Sequence, residues 1–130
     1  MPLDEASSRS STISSTLADF AAGLSWDDIP KDVKIRAVHH MLDAVGIALV
    51  SGTYDFAHRT LTALSGLSGA AGKSVGVIGR PVRLAPRDAA LVNGILCHGL
   101  DFDDTHLGGV VHPTVSALPC RSASTWRAPS

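Results

Sequence analysis

Apolar residues recur at three- and four-residue steps along most of the chain, which is the spacing of one face of an α-helix. The first stripe predicts a short amphipathic helix that ends near Gly23, and the second predicts a helix over about residues 30–50 with Pro30 at its first position. A third stripe follows Ser51 and Gly52, and a fourth follows Pro86. The stripes consist of Ile13, Leu17, Phe20, Ala21 and Leu24; Val38, Met41, Leu42, Val45 and Leu49; Phe56, Thr60, Leu61, Leu64 and Leu67; and Ala89, Ala90, Val92, Leu96 and Leu100.

A different pattern occupies residues 74–84. Val75 and Val77 lie between glycines, and Val82 and Leu84 alternate with Arg83, which is typical of short strands joined by a turn. The chain is therefore predicted to be mainly α, with a possible short β-hairpin near 74–84.

The two ends differ from the middle. Eight Ser or Thr lie between residues 7 and 16, and we expect residues 1–13 to form a flexible leader that is neither a secretory signal nor a transit peptide. Residues 14–118 carry the helical pattern. Residues 119–130 show neither a helical stripe nor strand alternation, so we expect an irregular tail that resembles a frame-shifted terminus.

Composition narrows the function classes. The chain has 130 residues, 45% of them hydrophobic and 18% charged, which suits one globular unit. The net charge is -1 with the basic residues scattered, which argues against nucleic-acid binding, and no apolar run reaches membrane-spanning length. Two cysteines, Cys97 and Cys120, form no disulfide framework, so we expect a reducing compartment, the cytoplasm.

Candidate chemistry is concentrated near the carboxyl end. Three carboxylates, three imidazoles and a threonine hydroxyl lie within fifteen residues, and burial and neighbours can bring such groups to the pKa values that proton transfer needs. The members are His98, Asp101, Asp103, Asp104, Thr105, His106 and His112.

Spacing within this segment suggests a shared face. Asn93, Cys97 and Asp101 are four residues apart, as are Asp101 and Thr105, and would project together if the fourth helix continued. Gly94 and Gly99 lack side chains, which suits close approach of a partner helix or a ligand. We interpret Cys97 as a small buried residue rather than a nucleophile.

Two other function classes stay open. A metal-binding hydrolase module using His98, Asp101, Asp104, His106 and His112 is compatible with the ligand types, since imidazole and carboxylate suit many divalent ions. The spacing disfavours it, because an EF-hand beginning at Asp101 would have histidines at its sixth and twelfth positions, and HExxH is absent. A non-catalytic helical remnant that dimerises through its apolar faces is the other alternative.

Several separate motifs resemble the amino-terminal part of the MmgE/PrpD family, which includes 2-methylcitrate dehydratase, cis-aconitate decarboxylase and iminodisuccinate epimerase. The resemblance extends from about residue 14 to residue 118. The motifs are Asp27-Asp28-Ile29-Pro30, Leu42-Asp43-Ala44-Val45-Gly46, Ser51-Gly52, Ala89-Ala90-Leu91-Val92-Asn93-Gly94, His98-Gly99-Leu100-Asp101-Phe102-Asp103-Asp104-Thr105-His106 and His112-Pro113-Thr114.

This resemblance implies a fold, an assembly and a chemistry. The fold is the amino-terminal part of an all-helical large domain, the assembly is a homodimer, and catalysis needs neither metal nor organic cofactor. Asp101 and Thr105 match pocket positions of the family, and His112 matches the histidine of its active-site His-Pro step. Asp104 and His98 lie in the same motif and are expected to have less direct, substrate-binding roles.

The resemblance also implies how these groups would act. His112 is the expected proton carrier, Asp101 would orient it or a substrate hydroxyl, and Thr105 would donate a hydrogen bond to a substrate carboxylate. The substrate would be a small polycarboxylic acid, with 2-methylcitrate dehydration the favoured activity. We expect the isolated chain to be inactive, since the family's remaining catalytic groups would lie beyond Leu118. Asp103 and His106 are expected to be solvated or structural.

Overall fold

The structure, a computed structural model, describes residues 12–67 and 74–123. Five helices and one antiparallel hairpin occur in these ranges, so the predictions of a mainly α fold and of a hairpin near 74–84 are confirmed. No helix in the described ranges has both the length and the apolar character needed to cross a bilayer. The elements are α1 (Ile13–Gly23), α2 (Lys31–Ser51), α3 (Asp55–Leu67), β1 (Val75–Val77), β2 (Arg80–Leu84), α4 (Pro86–His98) and α5 (Pro113–Ala123).

The chain divides into two compact units, with the boundary between Ile35 and Arg36. In the first unit, the Thr12 hydroxyl caps α1 by accepting the Ser15 N–H at 3.1 Å. Thr12 and Ile13, the last residues of the predicted leader, therefore begin a helix, while residues 1–11 lie outside the described residues. The apolar stripe of α1 is largely exposed, with Leu17 at 62%.

The second unit is organised around α4. Small and medium apolar side chains from α2, α3, the hairpin and α4 form its buried core, and the partly buried Val115 and Leu118 of α5 pack against it. The core consists of Ala44, Ala48, Ala57, Val77, Leu84, Ala89, Val92, Leu96 and Cys97.

Asn93 joins the hairpin to α4. Its side chain is 1% exposed, accepts the Ile78 N–H at 2.9 Å and donates to the Gly76 carbonyl at 3.1 Å. The hairpin turns directly after these contacts, at Gly79, whose φ of +69° suits glycine. The amide therefore satisfies two backbone groups at a point where the register of the hairpin shifts.

The face of α2 that packs differs from the predicted stripe. Ala44, Ile47, Ala48 and Ser51 are buried, whereas Leu42 of the predicted stripe is 66% exposed. The helix is apolar on more than one face, so periodicity locates the helix but not the face that is covered. The face with small residues is the buried one, because small side chains allow the helix to approach the core closely.

The end of the chain also requires a correction. Residues 119–123, predicted to be irregular, belong to α5, and residues 124–130 lie outside the described residues. Pro119 lacks the N–H that would bond the Val115 carbonyl, yet its ring is buried near Gly94, 4.0 Å from where a Cβ would be. Packing against α4 therefore offsets the lost helical hydrogen bond.

Candidate active site

The predicted cluster lies on the segment that connects α4 to α5. The fourth helix ends at His98, and the Asp101 N–H bonds the His98 carbonyl at 2.9 Å. Asp101 has a φ of +57°, a left-handed conformation that reverses the chain. The spacing predicted that Asp101 and Thr105 would continue the helix face that carries Asn93 and Cys97. This prediction is wrong, because the helix ends before Asp101.

A tight loop returns the chain to the cluster. The His106 N–H donates to the Val111 carbonyl at 2.8 Å, and this β-bridge closes residues 106–111 into a narrow loop. Inside it, the Gly109 N–H donates to Nδ1 of His106 at 3.0 Å. His112 follows the bridge directly and is thereby brought back beside the end of α4.

A buried carboxylate lies between two imidazoles. Oδ1 of Asp103 is 2.9 Å from Nδ1 of His98, and Oδ2 is 3.4 Å from Nδ1 of His112. The Asp103 side chain is 2% exposed, against 45% for His98 and 29% for His112. The two rings meet edge to face, with their centroids 4.8 Å apart. The contact to Oδ2 is longer than an ordinary hydrogen bond, and within residues 12–67 and 74–123 this oxygen has no hydrogen-bond partner.

Thr105 contacts the same imidazole. Its hydroxyl donates to the backbone carbonyl of Asp103 at 3.3 Å, and its oxygen is 3.5 Å from Nδ1 of His112. The hydroxyl oxygen and the Asp103 carboxylate thus both face the same nitrogen of His112.

Asp101 lies at the solvent side of the cluster. Its side chain is 82% exposed, and Oδ1 is 3.8 Å from Nε2 of His98. The link from Asp101 to the buried carboxylate therefore passes through the His98 ring rather than through His112.

Asp104 belongs to a neighbouring feature. Its Oδ1 accepts the N–H of Thr114, the second residue of α5, at 3.2 Å, so a carboxylate satisfies a free N–H at the positive end of that helix. It also lines a largely apolar groove of about 390 Å³ between α2 and α5. The groove residues are Ala37, His40, Met41, Asp104, Pro113, Thr114, Ala117, Leu118 and Arg121.

The structure thus brings three of the five predicted site residues, His98, Thr105 and His112, around the Asp103 carboxylate, which the prediction left out. Asp101 lies beside His98 at the solvent side. Asp103 was missed because a run of acids gives no sign of which one is buried. A signal for the end of α4 was available, since Gly99 after the basic His98 is a common helix terminus.

The cluster is also the place where a metal ion could be held. One ligand atom each from His98, Asp103 and His112 lies within 4.8 Å of the others. Of the five residues in the metal-binding alternative, this set contains His98 and His112, with Asp103 in place of the other acids. The 2.9 Å separation of Nδ1 of His98 and Oδ1 of Asp103 is also a hydrogen-bond distance, and an imidazole nitrogen binds a metal only without its proton.

Comparison with known proteins identifies the family. The sequence matches the model of the MmgE/PrpD N-terminal domain over residues 15–129. The chain belongs to the MmgE/PrpD family. The match extends past Leu118, where the sequence analysis ended the resemblance, which agrees with the continuation of α5 to Ala123.

Curated relatives within the MmgE/PrpD family include cis-aconitate decarboxylases. The chain is 31% identical over 113 residues to the enzyme of Mus musculus, covering 82% of this chain and 23% of the relative. It is 29% identical over 119 residues to that of Aspergillus terreus, covering 92% and 24%. The cis-aconitate decarboxylase-like protein oryM of Aspergillus oryzae is 29% identical over 112 residues, covering 86% and 23%. The chain therefore spans about a quarter of the length of these relatives.

Cys97 of this MmgE/PrpD domain lies beneath the cluster. The residue is fully buried, and burial, reinforced by the nearby Asp103 carboxylate, raises the pKa of its thiol from 9.0 to about 11. A thiol in this environment stays protonated and is a poor nucleophile. The interpretation of Cys97 as a packed residue agrees with its place in the core.

Proposed function

We propose that this chain contributes the proton-transfer site of an MmgE/PrpD lyase that acts on a small polycarboxylic acid without metal or organic cofactor. One observation carries the proposal: Nδ1 of the His112 imidazole faces both the buried Asp103 carboxylate and the Thr105 hydroxyl. An imidazole held in this way has a fixed orientation and a second ring nitrogen available for proton exchange.

The chemistry of such a lyase needs a proton carrier next to substrate carboxylates. Elimination of water requires a base that removes a proton beside a carboxylate and an acid that protonates the departing hydroxyl. Decarboxylation ends with delivery of a proton to the carbon that loses carbon dioxide. In both reactions, we assign the proton transfer to His112.

The other residues support this transfer. We propose that Thr105 orients the His112 ring and that its hydroxyl turns from the Asp103 carbonyl to a substrate carboxylate when substrate binds. Asp101 acts through His98, whose Nε2 it approaches to 3.8 Å. Asp104 is better explained as fixing the start of α5, and therefore His112 and Pro113, than as a substrate ligand, because its carboxylate accepts the Thr114 N–H.

The relatives support cis-aconitate as the first substrate to test, since those described above are named cis-aconitate decarboxylases. The activity favoured from the sequence, dehydration of 2-methylcitrate, stays a proposal and is the second test. Iminodisuccinate epimerisation is the third. All three substrates carry several carboxylates, so the shared proposal is proton transfer on a polycarboxylate.

The test follows the histidine ring signals of the isotope-labelled chain by NMR while cis-aconitate or 2-methylcitrate is added. We expect the His112 signals to shift and those of His58, which contacts Arg80 by the hairpin, to stay unchanged. Product formation, if the chain turns over, should disappear in His112→Ala and persist in His58→Ala. Unshifted His112 signals at saturating substrate, or undiminished turnover in His112→Ala, would contradict the proposal.

We also propose that the chain forms a homodimer in a reducing, cytoplasmic environment. Exposed apolar side chains on α1 and α2 favour association, because burying them removes apolar area from water. Cys97 and Cys120 are free thiols, which favours a reducing compartment. Light scattering coupled to sizing tests the assembly, and a monomer at all concentrations would contradict it. The exposed apolar side chains of α1 and α2 that favour association are Ile13, Leu17, Phe20, Val38, Leu42 and Leu49.

A further inference from the structure

We propose that Asp103 is a positioning residue whose single carboxylate holds both His98 and His112 through Nδ1, leaving Nε2 of each ring as the atom that exchanges protons. The catalytic meaning of this arrangement rests on the proposed function. The tautomers themselves do not, so they can be tested without a substrate.

The first step is the geometry of the carboxylate. Each oxygen of Asp103 faces a different ring. Oδ1 is at hydrogen-bond distance, 2.9 Å, from Nδ1 of His98, and Oδ2, which has no hydrogen-bond partner among the described residues, is 3.4 Å from Nδ1 of His112. The side chain is 2% exposed, so water cannot replace these contacts. Because burying an unpaired carboxylate is costly, both oxygens favour a donor, and a ring nitrogen faces each of them.

The second step concerns the direction of the hydrogen bonds at His112. The Thr105 hydroxyl gives its proton to the Asp103 carbonyl, so its oxygen presents a lone pair toward Nδ1. The Asp103 carboxylate accepts as well. A nitrogen that faces two acceptors carries the proton in the neutral ring, which leaves Nε2 of His112 as the basic atom.

The third step is the charge of Asp103. Its two oxygens face Nδ1 of His98 and Nδ1 of His112. A carboxylate only accepts hydrogen bonds, so it cannot donate to either ring. The ring protons must therefore be on Nδ1 of both histidines.

Another histidine in the same loop provides an internal control. Nδ1 of His106 accepts the backbone N–H of Gly109 at 3.0 Å, so its neutral ring must carry the proton on Nε2. Opposite tautomers are therefore expected within one short segment. Solvent exposure alone would give no reason for this difference.

The experiment is a long-range nitrogen–proton NMR spectrum of the uniformly labelled chain, read from the signals of the neutral imidazoles. We expect His98 and His112 to be Nδ1–H tautomers and His106 to be the Nε2–H tautomer. Single histidine substitutions assign the signals. An Nε2–H tautomer at either His98 or His112 in the unmodified chain would overturn the proposal.

Two variants sharpen the test. In Asp103→Asn the amide offers one acceptor oxygen and a donor NH₂, so one of the two rings should lose its Nδ1–H tautomer. The matched control is Asp88→Asn, since Asp88 is also buried, at 3% exposure, but lies at the opposite end of α4. It should leave both tautomers unchanged, whereas unchanged tautomers in Asp103→Asn would overturn the proposal.

His98→Asn covers the case in which Asp103→Asn does not fold. It keeps the carboxylate and removes one ring, and His112 should stay an Nδ1–H tautomer. A change to Nε2–H at His112 in this variant would show that Asp103 does not hold it independently. Failure of the proposed function would instead appear as unshifted His112 signals with cis-aconitate, while the tautomers stayed as expected, so the two failures are distinguishable.

Discussion

Gly99 lies so close to Ser51 that a Cβ atom on it would be 2.6 Å from the Ser51 hydroxyl oxygen. The same atom would be 2.5 Å from the Phe56 ring, so the end of α4 fits against two other helices only without a side chain. The close approach predicted at this glycine is therefore made by neighbouring helices. At Gly94 a Cβ would be 3.6 Å from the Val115 carbonyl, an ordinary contact with α5.

Gly99→Ala is expected to destabilise the chain by about 1–3 kcal/mol, the usual cost of overpacking. The matched control is Gly46→Ala in α2, where a Cβ meets nothing within 4 Å, and which should stabilise by up to about 1 kcal/mol through helix propensity. Urea unfolding followed by circular dichroism measures both. Equal effects of the two substitutions would mean that the close contact at Gly99 is not formed.

Asn93→Ala is expected to lower the free energy of unfolding by about 2–3 kcal/mol, because it leaves the buried Ile78 N–H and Gly76 carbonyl without their side-chain partner. Amide hydrogen exchange at Ile78 should accelerate more than exchange within α3. Arg83→Ala is the control, since Arg83 is an exposed residue on the same hairpin and should cost less than about 1 kcal/mol. Unchanged exchange at Ile78 would argue against the Asn93 clamp.

Cys97 is expected to make the chain less stable in alkali. The folded thiol has a pKa of about 11 and the unfolded thiol about 9.0, so between these pH values the unfolded state releases the proton first. The free energy of unfolding should therefore fall as pH rises above 9, by at most about 1.4 kcal/mol per pH unit. Subtracting the same series for Cys97→Ala removes the contributions of other groups.

The two cysteines also give a chemical readout. Exposed Cys120 should react with an alkylating reagent in the folded chain, whereas Cys97 should react after denaturation. Mass spectrometry of the modified peptides distinguishes them. Rapid modification of Cys97 under native conditions would contradict its burial beneath the cluster.

Asp101 combines a left-handed backbone with an exposed charge, and substitutions separate the two. Asp101→Asn should preserve stability because asparagine tolerates a positive φ, while Asp101→Ala should cost about 1 kcal/mol in thermal unfolding. Asp101→Gly should be at least as stable as Asp101→Asn. A stable Asp101→Ala together with an unstable Asp101→Asn would indicate that the carboxylate, rather than the backbone, is important for the fold.

Much of the architecture follows from local patterns. The stripes predict α1 to α4, and the alternation near Val75 predicts the hairpin, because these signals depend on neighbours close in sequence. The buried face of α2 could not be predicted, since it is selected by what packs against Ala44 and Ala48. Residues 119–123 were predicted to be irregular because they lack an apolar stripe, and the helix tolerates Pro119 because its ring is buried.

The candidate site was predicted in its location but not in its arrangement. Dense acids and imidazoles pointed to residues 98–112, and His98, Thr105 and His112 are brought together there. Which acid becomes buried depends on the chain reversal at Asp101, a backbone conformation that side-chain spacing does not encode. The buried position of Asp103 is therefore evident from the fold and not from the sequence motif.

The β-bridge between His106 and Val111 fixes the position of His112, whatever the number of residues in the loop that the bridge closes. Because the two strands of the loop are joined at their base, the tip at residues 107–110 can change in length without moving the ends of the loop. Evolution is thus free to insert or delete residues at this tip while the imidazole beyond it stays beside the carboxylate. Variable spacing between the threonine and the His-Pro step among relatives would be the signature of that freedom.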